Sequence, residues 1–176
     1  MGKRSNFERI PRDFYPTPES AVLPLLPHLA PGTRFCEPCA GDGRLIDHLT
    51  AAGHHCAGAW DIEPRRDDID KIDASQRLIG NIDCFITNPP WSRPVLHELI
   101  SHLAWQHPTW LLFDADWMHT KQSAPFMPLL RAVVSVGRVK WIEDSPFTGK
   151  DNCCWYLFHG KRGALEYPAH FYGRAA

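Results

Sequence analysis

Two hydrophobic periods alternate along this chain. Thr33–Glu37 (TRFCE), His55–Trp60 (HCAGAW), Asp83–Thr87 (DCFIT), Trp110–Asp114 (WLLFD), Val133–Ile142 and Cys153–His159 (CCWYLFH) are short apolar runs that read as strands. HCAGAW is rich in small residues and reads as buried, and Gly137 weakens the sixth run. Leu45, Ile46 and Leu49 recur at helical spacing, which predicts a helix over Arg44–Ala52 that stops at Gly53. Pro94–Gln106 reads as a helix, and Ala124–Ala132 as a weaker one. Thr17-Pro18-Glu19 predicts a helix start: a capping hydroxyl, proline at the first helical position and an acid in the first turn. That helix runs toward His28, with Pro24 and Pro27 set to kink or end it. Residues 63–72 and 144–152 read as loop or turn, and 160–176 as a loosely packed tail. Strands alternating with helices imply a mostly parallel sheet covered on both faces. The last two strands have no helix between them and are expected to pair antiparallel.

Composition narrows the class. The chain has 176 residues, 44% hydrophobic and 22% charged, values of an ordinary globular domain with little room for a second one. No apolar run reaches the ~18 residues of a membrane span, and the first residues lack the apolar core of a secretory signal. Six cysteines without an export signal read as reduced thiols in a cytoplasmic setting. Membrane, secreted disulfide-rich and fibrous classes are therefore set aside. The charge is uneven: residues 1–12 hold Lys3, Arg4, Arg9 and Arg12 against Glu8, residues 13–91 carry twelve acids against six bases, and residues 92–176 nine bases against seven acids. An acidic middle suits a cationic ligand, and basic ends suit a polyanion.

Open parallel sheets bind ligands beyond the carboxyl ends of their strands. Three unusual stretches occupy such ends. The first, Glu37–Gly43, has Gly41 and Gly43 to admit close backbone approach, but Ile46 stands where a dinucleotide fingerprint needs a third glycine. Its acid, Glu37, repels a phosphate and suits a cation or an amine. The second is Asp61, twenty residues after Gly41, where a carboxylate can accept from ribose hydroxyls. The third, Asn88-Pro89-Pro90-Trp91, is the most specific: two prolines stop the strand, the amide of Asn88 offers an acceptor and two donors, and Trp91 offers a face on which a base can stack. Asp73 is a further candidate for an adenine amine. Cys36-x-x-Cys39 lacks the second pair that a zinc site wants, so no metal is expected.

These residues resemble the motifs of the class I S-adenosylmethionine-dependent methyltransferases, and among them the N6-adenine DNA methyltransferases. Asn88–Trp91 matches that family's catalytic motif of Asp, Asn or Ser, two prolines and an aromatic residue. Asp13–Glu19 (DFYPTPE) resembles its methionine-binding motif, Glu37–Gly43 (EPCAGDG) its Gly-rich cofactor loop, Asp61-Ile62 its ribose acid with the adjacent apolar residue, and Asp73-Ala74 its adenine-binding pair. Ser145–Phe158 looks like the target-base region and last strands of small phage and prophage adenine methylases, as in restriction-modification systems. The motif order resembles the gamma arrangement, and the likeness covers residues 13–160.

The resemblance implies a single-domain Rossmann-like α/β fold over residues 1–176. Its sheet would be mostly parallel and seven-stranded with an antiparallel last strand, helices on both faces, a basic arm at 1–12, a tail at 161–176 and no separate target-recognition domain. The implied cofactor is S-adenosylmethionine. Tyr15, Thr17, Glu37 and Cys39 would surround its methionine part, Asp61 its ribose, and Ile62, Asp73 and Ala74 its adenine, with Pro38, Gly41 and Asn88 also binding it. Asn88, Pro89, Pro90 and Trp91 would carry catalysis on a base flipped out of DNA, with Trp91, Phe147 and Lys150 touching the substrate. Arg93, Lys121, Lys150, Lys161 and Arg162, with the arm, would meet phosphates. The implied alternatives are short or relaxed sequence specificity, a recognition loop within 115–128 or 143–152, or help from a partner or a second copy. The rival readings are transfer to RNA adenine, cytosine N4 or a protein glutamine, and a cofactor- or nucleic-acid-binding protein without catalysis. Family habit favours tyrosine at position 91 for glutamine and serine at 88 for cytosine, and a mere binder has no need of the Asn88 amide.

Overall fold

The computed structural model describes residues 14–142, 148–160 and 168–174. The arm, Phe147, Lys161 and Arg162 lie outside them. Eight strands form one sheet: β1 (Arg34–Glu37), β2 (His55–Asp61), β3 (Asp70–Lys71), β4 (Cys84–Thr87), β5 (Thr109–Asp114), β6 (Leu130–Arg138), β7 (Asn152–Phe158) and β8 (His170–Tyr172). Their order is β3-β2-β1-β4-β5-β7-β6-β8, with β7 antiparallel to both its neighbours and the other pairings parallel. Strand order reverses between β1 and β4, so the carboxyl ends of β1, β2 and β4 face one crevice.

The central strands β4 and β5 are buried at every position but Asp114 because both faces are covered. In β5, Trp110 and Leu112 join one core with Phe35, Leu45, Leu49 and Ile86, beneath α1 (Glu19–Val22) and α2 (Arg44–Ala51). Leu111 and Phe113 point the other way, into a core with Phe85, Leu96, Ile100, Leu103, Trp117 and Tyr156 beneath α3 (Arg93–Ala104). The two-residue alternation thus feeds two cores, as the pattern implied. β6 and β7 pair antiparallel as expected.

Several elements differ from expectation. The helix expected from Thr17 to His28 is one α-helical turn, Glu19–Val22, and a 3₁₀ turn, Leu26–His28, separated near Pro24. Pro18, not Thr17, holds its capping position, and the Thr17 hydroxyl is used elsewhere. β2 is largely exposed, with only Trp60 buried, because its outer neighbour β3 is two residues long. β3 itself lies within the stretch read as loop. The helix expected at 124–132 is 3₁₀ over Lys121–Leu129, since Pro125 and Pro128 remove α-helical donors. β6 accordingly starts earlier, at Leu130, and ends at Arg138 after a bulge at which Gly137 has φ +86°. His170–Tyr172 in the supposed tail adds an eighth strand, parallel to β6.

All six cysteines are unpaired thiols. Among the described residues, no helix is long and apolar enough to cross a membrane.

Candidate active site

A cavity of about 580 Å³ opens at the crevice between β1, β2 and β4. Its walls include Tyr15, Thr17, Glu37, Pro38, Cys39, Gly41, Asp61, Ile62, Asp73, Ala74, Asn88 and Pro90, so the structure brings nearly all the sequence-derived candidates to one place. The first turns of α3 close another side with Val95, Glu98 and Leu99.

Asn88 sits where β4 ends. Its Nδ2 donates to the Tyr15 carbonyl and to the Thr17 hydroxyl, both at 3.2 Å. Both amide hydrogens are thereby committed to the segment before α1. The orientation of the carboxamide follows: Oδ1 is the atom left to accept. Among the described residues it receives only a long bond of 3.4 Å from the Trp91 indole, which donates also to the Leu112 carbonyl at 3.2 Å. Trp91 does not line the cavity. It is half-buried between the two cores, and its ring meets Trp141 edge-on with centroids 5.8 Å apart. Trp141 in turn approaches Tyr15 at 6.3 Å. Pro89 is buried. Lys150 and Lys121 are exposed, and Arg93 is drawn to Asp114 at 3.1 Å.

Three acids set the electrostatics. Glu37, 2% exposed at the end of β1, has an Oε2 without a hydrogen-bond partner among the described residues. Burial, then the nearby charges of Asp42 and Asp61, hold its carboxyl well above the usual range. Asp61 accepts from the amides of Gly41 at 2.9 Å and Glu63 at 2.7 Å, which pins its carboxylate over the glycine loop and leaves lone pairs for a ligand. Asp73 is held by Ser75 through N–H and hydroxyl bonds of 2.9 and 2.8 Å to one oxygen. Ile62 is 52% exposed at the rim. Burial, with Asp61 and Glu37 beside it, pushes the Cys39 thiol up and keeps it protonated. Cys36 packs into the α3-side core instead, and no group of three potential metal ligands occurs among the described residues.

Sequence reasoning missed two partners. Arg65 lies 3.5 Å over the Phe14 ring, and both line the cavity, clasping the glycine loop from outside. Gly41 has φ +53°, and a Cβ there would stand 2.7 Å from Phe14. Gly41→Ala is therefore expected to strain the loop by roughly 1 kcal/mol and to push Phe14 out. A binding titration should show weaker cofactor affinity than wild type; equal affinity would mean that the clasp is irrelevant to the cavity. Trp141 was also missed, because nothing in its spacing from Trp91 marks it.

The donor set suits a sulfonium cofactor with an amino acid tail. A buried carboxyl whose Oε2 has no partner among the described residues can receive an ammonium, and an oriented carboxylate can take a diol.

No protein-family model matches the chain, and no curated protein matches it. Solved structures do. A dimethyladenosine transferase from Plasmodium falciparum aligns with TM-score 0.57 and 16% identity over 86% of this chain and 64% of its own. A protein from Listeria monocytogenes assigned to the class I S-adenosylmethionine-dependent methyltransferases gives 0.59 and 10% over 89% and 65%. The fold is that of the class I methyltransferases. The M protein of the type I restriction enzyme EcoKI shares this methyltransferase fold at 0.56 and 10% identity, over 89% of this chain and 47% of its own. The chain thus spans just under two thirds of the length of the first two and about half of the third.

Proposed function

We propose that the chain transfers a methyl group from S-adenosylmethionine to the N6 amine of adenine in DNA. The observation that carries this reading is the Asn88 carboxamide, locked by Tyr15 and Thr17 so that its oxygen is the available acceptor at the cavity wall. When bound, the cofactor supplies a methyl group on a positively charged sulfur. Glu37 would receive its ammonium, Asp61 its ribose hydroxyls, and Ile62, Asp73 and Ala74 its adenine.

The chain's own residues account for the remaining chemistry. Adenine's exocyclic nitrogen is a poor nucleophile because its lone pair is delocalised into the ring. Asn88 Oδ1 and the Pro89 carbonyl would each accept an N6–H bond, drawing the nitrogen toward tetrahedral geometry and freeing the lone pair. That pair forms the new N–C bond as the C–S bond breaks and its electrons return to sulfur. The two acceptors stabilise the positive charge developing on nitrogen. No strong base is needed, because the product ammonium is acidic and sheds its proton to water. Trp91 would stack on the extruded base, with Trp141 bracing it from the side.

Incubation of the chain with methyl-labelled cofactor and duplex DNA, single-stranded DNA, RNA or protein tests the reading. Label should appear in DNA, and nucleoside mass spectrometry should identify it as N6-methyladenine. Label confined to RNA, protein or cytosine would refute it.

A further inference from the structure

The carboxyl edge of the sheet carries opposite charge on its two halves. On the β1–β2 side, the cofactor cavity is lined by Asp42, Asp61, Glu63, Asp73 and Glu98, with Arg65 as the one cation among its described lining residues. The other half is basic. β4 runs parallel to β5, β7 runs antiparallel to β5 and β6, and β6 runs parallel to β8. So β6 and β8 end, and β7 begins, at the edge where Asn88 sits.

Four cations gather there. Arg138 closes β6 and Lys140 follows, both exposed, with Val139 buried between them. The Gly149 N–H donates to the Val139 carbonyl at 2.8 Å, which sets the exposed Lys150 alongside. Arg174, just past β8, lies over Gly137: a Cβ at that glycine would stand 3.1 Å from its Nη1. The bulge in β6 thus seats a guanidinium that no carboxylate holds. None of the four has an ion-pair or hydrogen-bond partner among the described residues. Asp151 is the acid beside them among those residues, and Glu143 and Asp144 lie outside them. Like charges held together without partners repel one another, and a polyanion relieves that repulsion.

The patch adjoins the reaction site. Trp141 follows Lys140 and meets Trp91 with centroids 5.8 Å apart. A base flipped toward Asn88 leaves its sugar and phosphate at the mouth of the crevice. Phosphates on either side of it are repelled by the acidic half and drawn to the basic one. Neighbouring strands lie about 4.8 Å apart, so β7, β6 and β8 span about 10 Å. That is about three nucleotide steps of one strand at about 3.4 Å each.

We infer that the ends of β6 and β8 and the start of β7 form the surface on which the DNA backbone flanking the flipped adenine lies, with Arg138, Lys140, Lys150 and Arg174 as its phosphate contacts. The inference rests on the proposed DNA substrate and deepens it. It fixes the side from which the duplex approaches, over β6 and β8 and away from β2 and β3. Of the four residues, the sequence alone singled out Lys150.

The test measures fluorescence anisotropy of one labelled adenine-containing duplex with the full chain, over about 50 to 200 mM salt. Arg138→Gln, Lys140→Gln, Lys150→Gln and Arg174→Gln should each weaken binding about three- to tenfold at the low-salt end and flatten the plot of log affinity against log salt by about one. Duplexes of different sequence should lose equally, because phosphates carry no sequence. Arg34→Gln removes an exposed charge from the opposite edge, at the start of β1, and should change neither quantity. Should Arg174→Gln loosen β8, Arg138→Gln and Lys140→Gln decide the matter, since their side chains hold no partner. Unchanged affinity and slope in those two variants overturns the inference, as does an Arg34→Gln variant that loses as much as they do. Preferential binding of an RNA duplex through the same four residues would overturn the assignment to DNA. Methyl transfer separates this inference from the reading it rests on. Salt slopes that flatten as expected without any N6-methyladenine would uphold the surface and refute the proposed function. N6-methyladenine formed by a chain whose slope ignores all four substitutions would do the reverse.

Discussion

Replacing Asn88 with alanine is expected to lower methyl transfer by at least about a hundredfold, the scale of removing one pre-oriented polar group from a transition state. The cause is local. Oδ1 is the acceptor that the bonds to Tyr15 and Thr17 leave available, and alanine has no atom there. The cost to the rest of the site should be modest. Two hydrogen bonds worth about 1 kcal/mol each are lost, which loosens the segment before α1 and lowers the melting temperature by a few degrees. Glu37 and Asp61 keep their positions, since neither is bonded to Asn88. Single-turnover rates and a cofactor titration on the same variant check this. Rate should collapse while affinity changes only a few-fold. Rate and affinity falling together would assign Asn88 to cofactor binding instead.

Glu37→Gln should act in two opposite directions. The wild-type carboxyl is buried, lacks a partner at Oε2 among the described residues and sits near Asp42 and Asp61, so it holds its proton more tightly folded than unfolded. Stability from that bound proton is complete below the ordinary glutamate range, near pH 4.3. It drains away as pH rises through that range toward the higher folded value. Glutamine carries no such burden. Thermal melts from pH 4 to 8 should therefore show the variant level with wild type at the acid end and progressively more stable toward neutrality, by roughly 2–4 °C for each kcal/mol. Cofactor affinity should move the other way. Without the carboxylate the ligand's ammonium loses its charged partner, and the dissociation constant should rise at least tenfold, about 1.4 kcal/mol. A variant that is more stable yet binds as well as wild type would remove Glu37 from the ammonium's site.

The contrast between these residues shows what a sequence can disclose. Asn88-Pro89-Pro90-Trp91 stood out because tandem prolines cannot extend a ladder, so an apolar strand must end in a rigid loop there. Glu37 and Asp61 were legible for a similar reason: acids just past apolar runs in a parallel sheet sit at its carboxyl edge. The burial of Glu37 was not legible, because it depends on Asp42, Asp61 and the loop packed around it. Thr17 was misread as a helix cap because its alternative partner, Asn88, lies 71 residues away. The Arg65–Phe14 clasp and the Trp91–Trp141 contact are equally non-local. The eighth strand escaped because its three residues are all exposed and carry no burial pattern. Prolines at 125 and 128 were visible in the sequence, yet the apolar spacing around them masked their effect on the helix.

A crystal structure with S-adenosylhomocysteine tests the central claim most directly. The ligand should lie in the β1–β2–β4 cavity with its ammonium at Glu37, its ribose at Asp61 and its sulfur on the side of Asn88 Oδ1. Ligand density elsewhere, or an Asn88 oxygen turned away from the sulfur, would contradict the account.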